Sequence, residues 1–263
     1  GVVLLDLQTG EKSVYDSIKN FSFTNDGAWL LLHHEQKGHE KKKKGKSKRT
    51  PEAGTTLSWY ALGSGDTFKY PFVTTFTVDS LSAELAFVVS DTTGKGNGVY
   101  GVSLDHPGAD PRAIFADSAA WGDQLRWNNR NGSLVFLGGI LNSDGKRDRT
   151  SLYLRHPGES YASVVMEDAD LRQGWRIYHK NQLQWSKDGK RLFIGTKPAS
   201  EIIADEEKKS DSIANLFDGE EILNRREVDV WHWDDPYINP QQKKRWSREK
   251  DKVYTGVYYP EEN

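Results

Sequence analysis

Leu183-Gln184-Trp185-Ser186-Lys187-Asp188-Gly189-Lys190-Arg191-Leu192-Phe193-Ile194 reads as a β-hairpin: an aromatic ends one strand, a polar turn follows, and an apolar triplet opens the next. Asp188-Gly189 supplies the positive φ that a tight reversal requires. The same design occurs at 21–32, 74–88 and 125–136, with aromatic anchors at Phe23, Phe76, Trp127 and Trp185. The anchors step by 53, 51 and 58 residues (23 to 76, 76 to 127, 127 to 185). Anchor and triplet are seven residues apart in the first, third and fourth copies and nine in the second, which reads as a two-residue insertion around Ser80-Leu81.

Alternating runs follow each hairpin. Third strands are expected at 57–61, 99–102, 152–154 and 228–233, and fourth strands at 67–72, 112–116, 163–167 and 252–259. Four short antiparallel strands in about 50 residues is the repeat of a β-propeller blade. The fold class is therefore all-β: a single partial propeller of about four blades of four antiparallel strands, at 18–72, 73–117, 118–167 and 171–263. Residues 1–17 supply two outer strands of a preceding blade, whose inner strands are expected upstream. Strand alternation puts first-to-second and third-to-fourth turns on one face, where Thr9-Gly10, Asp26-Gly27, Gly63-Ser64-Gly65, Asn131-Gly132 and Asp188-Gly189 fall. The long connections 33–55, 138–150 and 196–227 are all second-to-third and emerge on the other face, the expected place for a partner or a substrate path.

Composition narrows the function classes. Aromatics make up 11% of the 263 residues, including 9 Trp, which excludes a disordered chain. The net charge of -2 gives no global field toward nucleic acid or membrane. Its one asymmetry is local: between Lys37 and Thr50, seven Lys and one Arg against one Glu give +7. That run has no aromatic to stack bases and reads as a solvated loop. With no cysteine, disulfides, thiolate metal sites and a cysteine nucleophile are excluded. No apolar run reaches the length of a membrane span.

Catalytic patterns fail on inspection, and no catalytic residue, metal or cofactor is expected. Gly101-Val102-Ser103-Leu104-Asp105 lacks the last glycine of a nucleophile elbow and lies in a β-rich run, so Ser103 is a strand residue. Gly45-Lys46-Ser47 is not a phosphate loop, because Gly38 and Gly45 enclose six residues where four are needed. His33, His34 and His39 lie beside Glu35 and Glu40, but adjacent strand residues point to opposite sheet faces and His33 and His34 cannot share an ion. Asn142-Ser143-Asp144-Gly145 with Asp148 lacks the distal glutamate of a calcium loop. Two pairs are candidates for substrate contact. Glu220 and Glu221, in an insertion with helical apolar spacing, form a carboxylate pair able to hold an α-amino group. Trp231 and Trp233 share one face of a strand, where they either pack between blades or line a peptide-contacting surface.

The string Val228-Asp229-Val230-Trp231-His232-Trp233-Asp234-Asp235-Pro236, with Gln241-Gln242-Lys243-Lys244 after it, resembles the N-terminal propeller region of bacterial serine peptidases of the prolyl oligopeptidase family. The hairpins Phe23-Thr24-Asn25-Asp26-Gly27 and Trp185-Ser186-Lys187-Asp188-Gly189 are similar to that family too, though they are common to many propellers. The resemblance spans most of the chain, and its specific part is 228–244. It implies a propeller of seven or eight blades followed by an α/β-hydrolase domain that carries the catalytic residues. This portion would be non-catalytic and would gate or position peptide substrates. The expected partners are a peptide and the hydrolase domain of the same parent protein, with no nucleic acid. The implied setting, in keeping with the absence of cysteine, is an exported bacterial protein. Two alternatives remain: a stand-alone propeller scaffold for protein partners, and a propeller enzyme with carboxylates in its central channel.

Overall fold

The computed structural model describes residues 1–35, 53–81, 83–202 and 251–261, together with Asp234, Tyr237, Gln241, Lys244 and Arg245. Strands β1 (Val2–Leu5) and β2 (Lys12–Tyr15) form an antiparallel ribbon. A first sheet contains β3 (Ile18–Phe23), β4 (Trp29–His34), β5 (Thr55–Ala61) and the first half of β6 (Thr67–Val78). The second half of β6 begins a second sheet with β7 (Glu84–Val89), β8 (Gly98–Ser103) and β9 (Arg112–Ala116). The third comprises β10 (Ala120–Trp127), β11 (Leu134–Ile140), β12 (Ser151–Arg155) and β13 (Ser163–Met166). In the fourth, β14 (Trp175–Ile177) and β15 (Gln184–Trp185) share one edge of β16 (Leu192–Pro198), and β17 (Tyr254–Tyr258) lies on the other.

Strand alternation stacks these sheets in chain order. Leu30 and Leu32 of β4 pack with Val2, Leu4 and Tyr15 of the ribbon, whereas Leu31 joins Leu57 and Trp59 against Leu85, Phe87 and Val89 of the second sheet. Ala86 and Val88 point the other way, onto Trp127, Leu134 and Phe136 of the third sheet. Val135 and Leu137 then meet Leu192, Ile194 and Tyr258 of the fourth. Each central strand therefore buries both faces, one against the preceding sheet and one against the next, and the apolar triplets exist for this reason. Four-stranded antiparallel sheets stacked face to face in sequence are the blades of a partial β-propeller. At the two ends the pattern stops: Val3, Leu5 and Val14 are exposed on the ribbon and Val257 on the last sheet.

All four hairpins close alike. The first turn residue donates its N–H to the carbonyl five positions on: Thr24 to Trp29 (3.1 Å), Asp79 to Glu84 (3.1 Å), Asn128 to Ser133 (2.8 Å) and Ser186 to Arg191 (2.8 Å). The register opposes Phe23 with Leu30, Trp127 with Leu134 and Trp185 with Leu192, and in the second copy Val78 with Leu85. Val78, not Phe76, thus holds the anchor position, and the expected insertion at Ser80-Leu81 does not exist. Ladder register is set by the turn, and Asp79 begins this one by capping Ala83 N–H with its carboxylate (2.7 Å).

A second correction concerns the last sheet. Tyr254–Tyr258 pairs directly with Leu192–Thr196, so β17 occupies the third-strand position rather than the fourth. Burial accounts for it: Tyr258 (4% exposed) opposes Leu192 (0%) and extends the same apolar face toward the third sheet. The edge that sequence reading gave to 228–233 is thereby taken.

The first two junctions, from the ribbon to the first sheet and from the first sheet to the second, pass through backbone in the left-handed region. Ser17 (φ 55°) and Phe72 (φ 59°) stand just before the inner-strand segments, and each carbonyl accepts an N–H from just past the second strand, Glu35 (2.7 Å) and Ser90 (2.8 Å) respectively. At Phe72 the strand does not stop: β6 kinks and runs from the outer edge of the first sheet to the inner edge of the second.

Candidate functional site

Two neighbouring clefts open on the face of short turns. The smaller, about 430 Å³, lies between inner strands β3 and β6 and is lined by Asn20, Ser22, Asn25, Phe76, Val78 and Asp79 among others. The larger, about 640 Å³, lies between the second and third sheets and is walled by Glu84, Gly101, Ser103, Arg112, Trp127 and Arg155 with the turn 128–132. Asp79, Ser80 and Asn129 border both, so the two open side by side. The sequence pointed instead to the face of long connections, much of which falls outside the described residues.

An ion pair sits in the wall of the larger cleft. Arg155 (2% exposed) grips Glu84 through both terminal nitrogens, Nη1 to Oε1 at 2.8 Å and Nη2 to Oε2 at 2.5 Å. Arg112 adds a second cation 3.6 Å from Glu84. The Arg155 guanidinium lies 5.5 Å from the Trp127 ring centroid, within cation–π range. Gly101, opposite Ala86 on β8, makes the room, because a Cβ there would run into Glu84 Oε1. Glu84 belongs to the second sheet and Arg155 to the third. The pair therefore ties two blades across 71 residues of sequence.

On the opposite face, Asp123 of β10 accepts from Arg147 (3.1 Å), whose guanidinium lies over the Trp121 ring at 4.5 Å. The connection containing Asn142 and Arg147 thus folds back on an inner strand. Asn142 Oδ1 accepts from the N–H groups of Asp144 and Lys146, which makes that stretch a self-capped turn. Farther round, Asp251 accepts from the Tyr178 hydroxyl (2.9 Å) and Lys180 Nζ (3.3 Å), fastening the far end of the long insertion to the inner edge of the last sheet. Burial, with Asp251 assisting, pushes the Tyr178 hydroxyl above its ordinary pKa.

The sequence-derived candidates Glu220, Glu221, Trp231 and Trp233 lie outside the described residues, as does the Lys-rich run 41–49. Of the specific string, Asp234, Tyr237, Gln241 and Lys244 are described, and adjoining Arg245 stacks 4.1 Å from the Tyr237 ring centroid. Ser103 ends strand β8 and its hydroxyl accepts from Asp105 N–H (3.2 Å). Ser133 Oγ stands 3.4 Å from His156 Nδ1, but Ser133 is buried and Glu159 binds the backbone N–H of His156 rather than its ring. That contact lacks the orienting carboxylate a nucleophile–base pair needs. Among the described residues no three His, Cys, Asp or Glu side chains converge on a metal position, and no helix is long and apolar enough to cross a membrane.

His33 and His34 do point apart. His34 Nε2 meets Ser58 Oγ (2.9 Å), while buried His33 donates Nε2–H to the Val73 carbonyl (2.8 Å), with Thr55 Oγ1 3.0 Å away. Desolvation holds the His33 pKa below its ordinary 6.5, with a smaller contribution from Lys19. Between the folded and unfolded pKa values the unfolded chain binds more protons, so stability rises with pH through that window and levels off above about 6.5. Urea midpoints from pH 5 to 8 are expected to show this rise in the wild type and a flatter profile in His33→Gln. Parallel profiles would dismiss the assignment.

No protein-family model matches the sequence, and no curated protein does. Solved structures similar to the chain include the β-propeller domain of the trilobed protease from Pyrococcus furiosus, at 10% identity over 68% of this chain and 48% of that one (TM-score 0.42). An oligogalacturonate lyase from Vibrio parahaemolyticus matches at 12% identity over 73% and 52% (TM-score 0.44). An acylaminoacyl peptidase from Pyrococcus horikoshii matches at 12% identity over 74% and 30% (TM-score 0.41). The chain spans about half the length of the first two. The propeller assignment itself stands on the chain's own sheets and the order in which they stack.

Proposed function

We propose that this chain is the non-catalytic propeller portion of an exported serine peptidase, which restricts peptide access to a hydrolase domain elsewhere in the parent protein. The observation that carries the reading is the combination of stacked propeller sheets with the Trp231-His232-Trp233-Asp234-Asp235-Pro236 and Gln241-Gln242-Lys243 strings. A closed ring of such blades would surround a central channel, and its contribution to a peptidase would be selection of substrates by size and extension. The clefts on the short-turn face, lined by Asn, Ser and Asp side chains beside Phe76 and Trp127, suit an extended chain, which offers backbone carbonyls, amides and apolar side chains together.

Purified residues 1–263 are expected to leave chromogenic di- and tripeptides uncleaved. The same assay on the parent protein should show turnover that a serine-directed fluorophosphonate abolishes. Fluorophosphonate-sensitive cleavage by residues 1–263 alone would overturn the non-catalytic assignment. A parent gene lacking a downstream Gly-x-Ser-x-Gly hydrolase domain would end the peptidase reading.

A further inference from the structure

Strand β3 forms the inner edge of the first sheet, with β4 as its one ladder partner among the described residues. In an antiparallel ladder the backbone groups of successive residues point alternately toward the partner strand and away from it. Thr24 N–H bonds the Trp29 carbonyl, so by alternation Ser22 pairs inward with Leu31 and Asn20 with His33. Phe21 and Phe23 fall between these pairs, and their N–H and C=O groups point away from β4. No turn, loop or side-chain bond among the described residues uses either N–H, and the Phe23 carbonyl accepts from Ser22 Oγ (3.1 Å).

The same register sorts the side chains. Phe21 and Phe23 stand opposite Leu32 and Leu30, on the face that meets the ribbon, and both are about half exposed. Asn20 and Ser22 stand opposite His33 and Leu31, on the face toward the second sheet, where Phe76 and Val78 come up from β6. Small polar side chains leave the space between these two inner strands unfilled, and that space is the 430 Å³ cleft. The bond from Asn25 Nδ2 to the Ser80 carbonyl (2.9 Å) bounds it at the turns. Both flanking strands keep an unbroken register over four residues, 20–23 and 75–78. The other inner edges do not: β10 shifts register between Asp123 and Arg126, with Gln124 at φ 55°, and the fourth sheet divides its edge between β14 and β15, of three and two residues.

We propose that the inner edge of β3 takes an extended peptide as a further strand, with alternate peptide side chains entering the 430 Å³ cleft. An extended chain matches this edge in kind. It presents an N–H and a C=O at every second residue, about 7 Å apart, the spacing of the outward groups of Phe21 and Phe23. Main-chain bonds of this sort give affinity without reading sequence, and the side-chain pocket adds the preference. Asn20, Ser22, Thr77 and Asp79 line the cleft, so it takes a polar side chain, best an amide that can both donate and accept. A proline or N-methylated residue facing β3 is rejected, because it has no N–H to give. The inference rests on the peptide-handling function proposed above and names the strand that would hold the chain.

Amide exchange on residues 1–263 tests this, with the capped pentapeptide acetyl-Thr-Asn-Thr-Asn-Thr-amide added at millimolar concentration. The N–H groups of Phe21 and Phe23 are expected to exchange about tenfold more slowly with the peptide present, while that of Ser22, already paired with β4, stays unchanged. The fully N-methylated twin should protect neither. Replacing both Asn by Leu should weaken binding about fivefold, for want of partners to the polar cleft. Phe21→Ala should keep the binding, and Phe21→Pro, which deletes one outward N–H and no ladder bond, should weaken it about tenfold. Unprotected Phe21 and Phe23, equal protection by the methylated twin, or protection spread evenly over the sheet would overturn the added strand. Equal binding of the Leu peptide would overturn the part given to the cleft. Should Phe21→Pro fail to fold, the methylated twin decides alone. Binding is read here without turnover, so a bare edge would sink this inference and leave the peptidase reading to the assay on the parent protein.

Discussion

Glu84→Ala is expected to lower stability by about 3–5 kcal/mol, because it leaves the Arg155 charge buried without a counterion. Arg155 is 2% exposed, and its cation–π contact with Trp127 cannot replace two charge-assisted hydrogen bonds. Arg112 makes the loss worse, since removal of the carboxylate leaves two guanidinium groups facing one space. The double variant Glu84→Leu/Arg155→Met should recover most of the loss, as apolar replacement of a buried pair is commonly neutral. Urea unfolding of the two variants checks both statements. A single-variant loss under about 1 kcal/mol would mean that water reaches Arg155 freely.

Phe136→Ala should cost about 3–5 kcal/mol by a different route, the cavity left when a buried ring is removed from a packed core. Phe136 is fully buried, stacks on Tyr153 with centroids 5.0 Å apart and planes 2° from parallel, and lies 6.2 Å from Phe115 across the seam between the second and third sheets. Its β-strand neighbours Val135 and Leu137 face the next sheet and cannot collapse into the gap. Phe136→Leu should recover about half of the loss. Thermal melts of the two variants provide the comparison, and coincident melts would show that ring stacking and volume count for little at this position.

Much of the architecture was legible because the central strands bury both faces. Leu30-Leu31-Leu32 and Leu134-Val135-Phe136 are apolar without a break, and a run that short between turns implies a strand covered on each side. In the second repeat the aromatic at Phe76 suggests one register, whereas the hydrogen bond from Asp79 to Glu84 fixes another and selects Val78. In the fourth sheet the strand pattern is stronger at 228–233, outside the described residues, yet the edge of β16 is taken by a strand of ordinary composition whose Tyr258 completes the core. The site fared least well. Glu84 and Arg155 are unremarkable residues 71 positions apart, and only the stacking of one blade on the next brings them together. A weak trace was present in Gly101, a glycine in a strand, which commonly marks a close approach. Glu220, Glu221, Trp231 and Trp233 were chosen on chemistry and resemblance, and they remain part of the proposal rather than of the described site.

The kinked strand β6 has a mechanical consequence. Tension applied along the polypeptide would load the first and second sheets through one continuous ribbon, so neither could peel away while the other held. Elsewhere the chain crosses from blade to blade through a loop, where slack can absorb a pull. Under traction these two blades would yield as a single brittle unit, and the rest of the fan would come apart piecemeal.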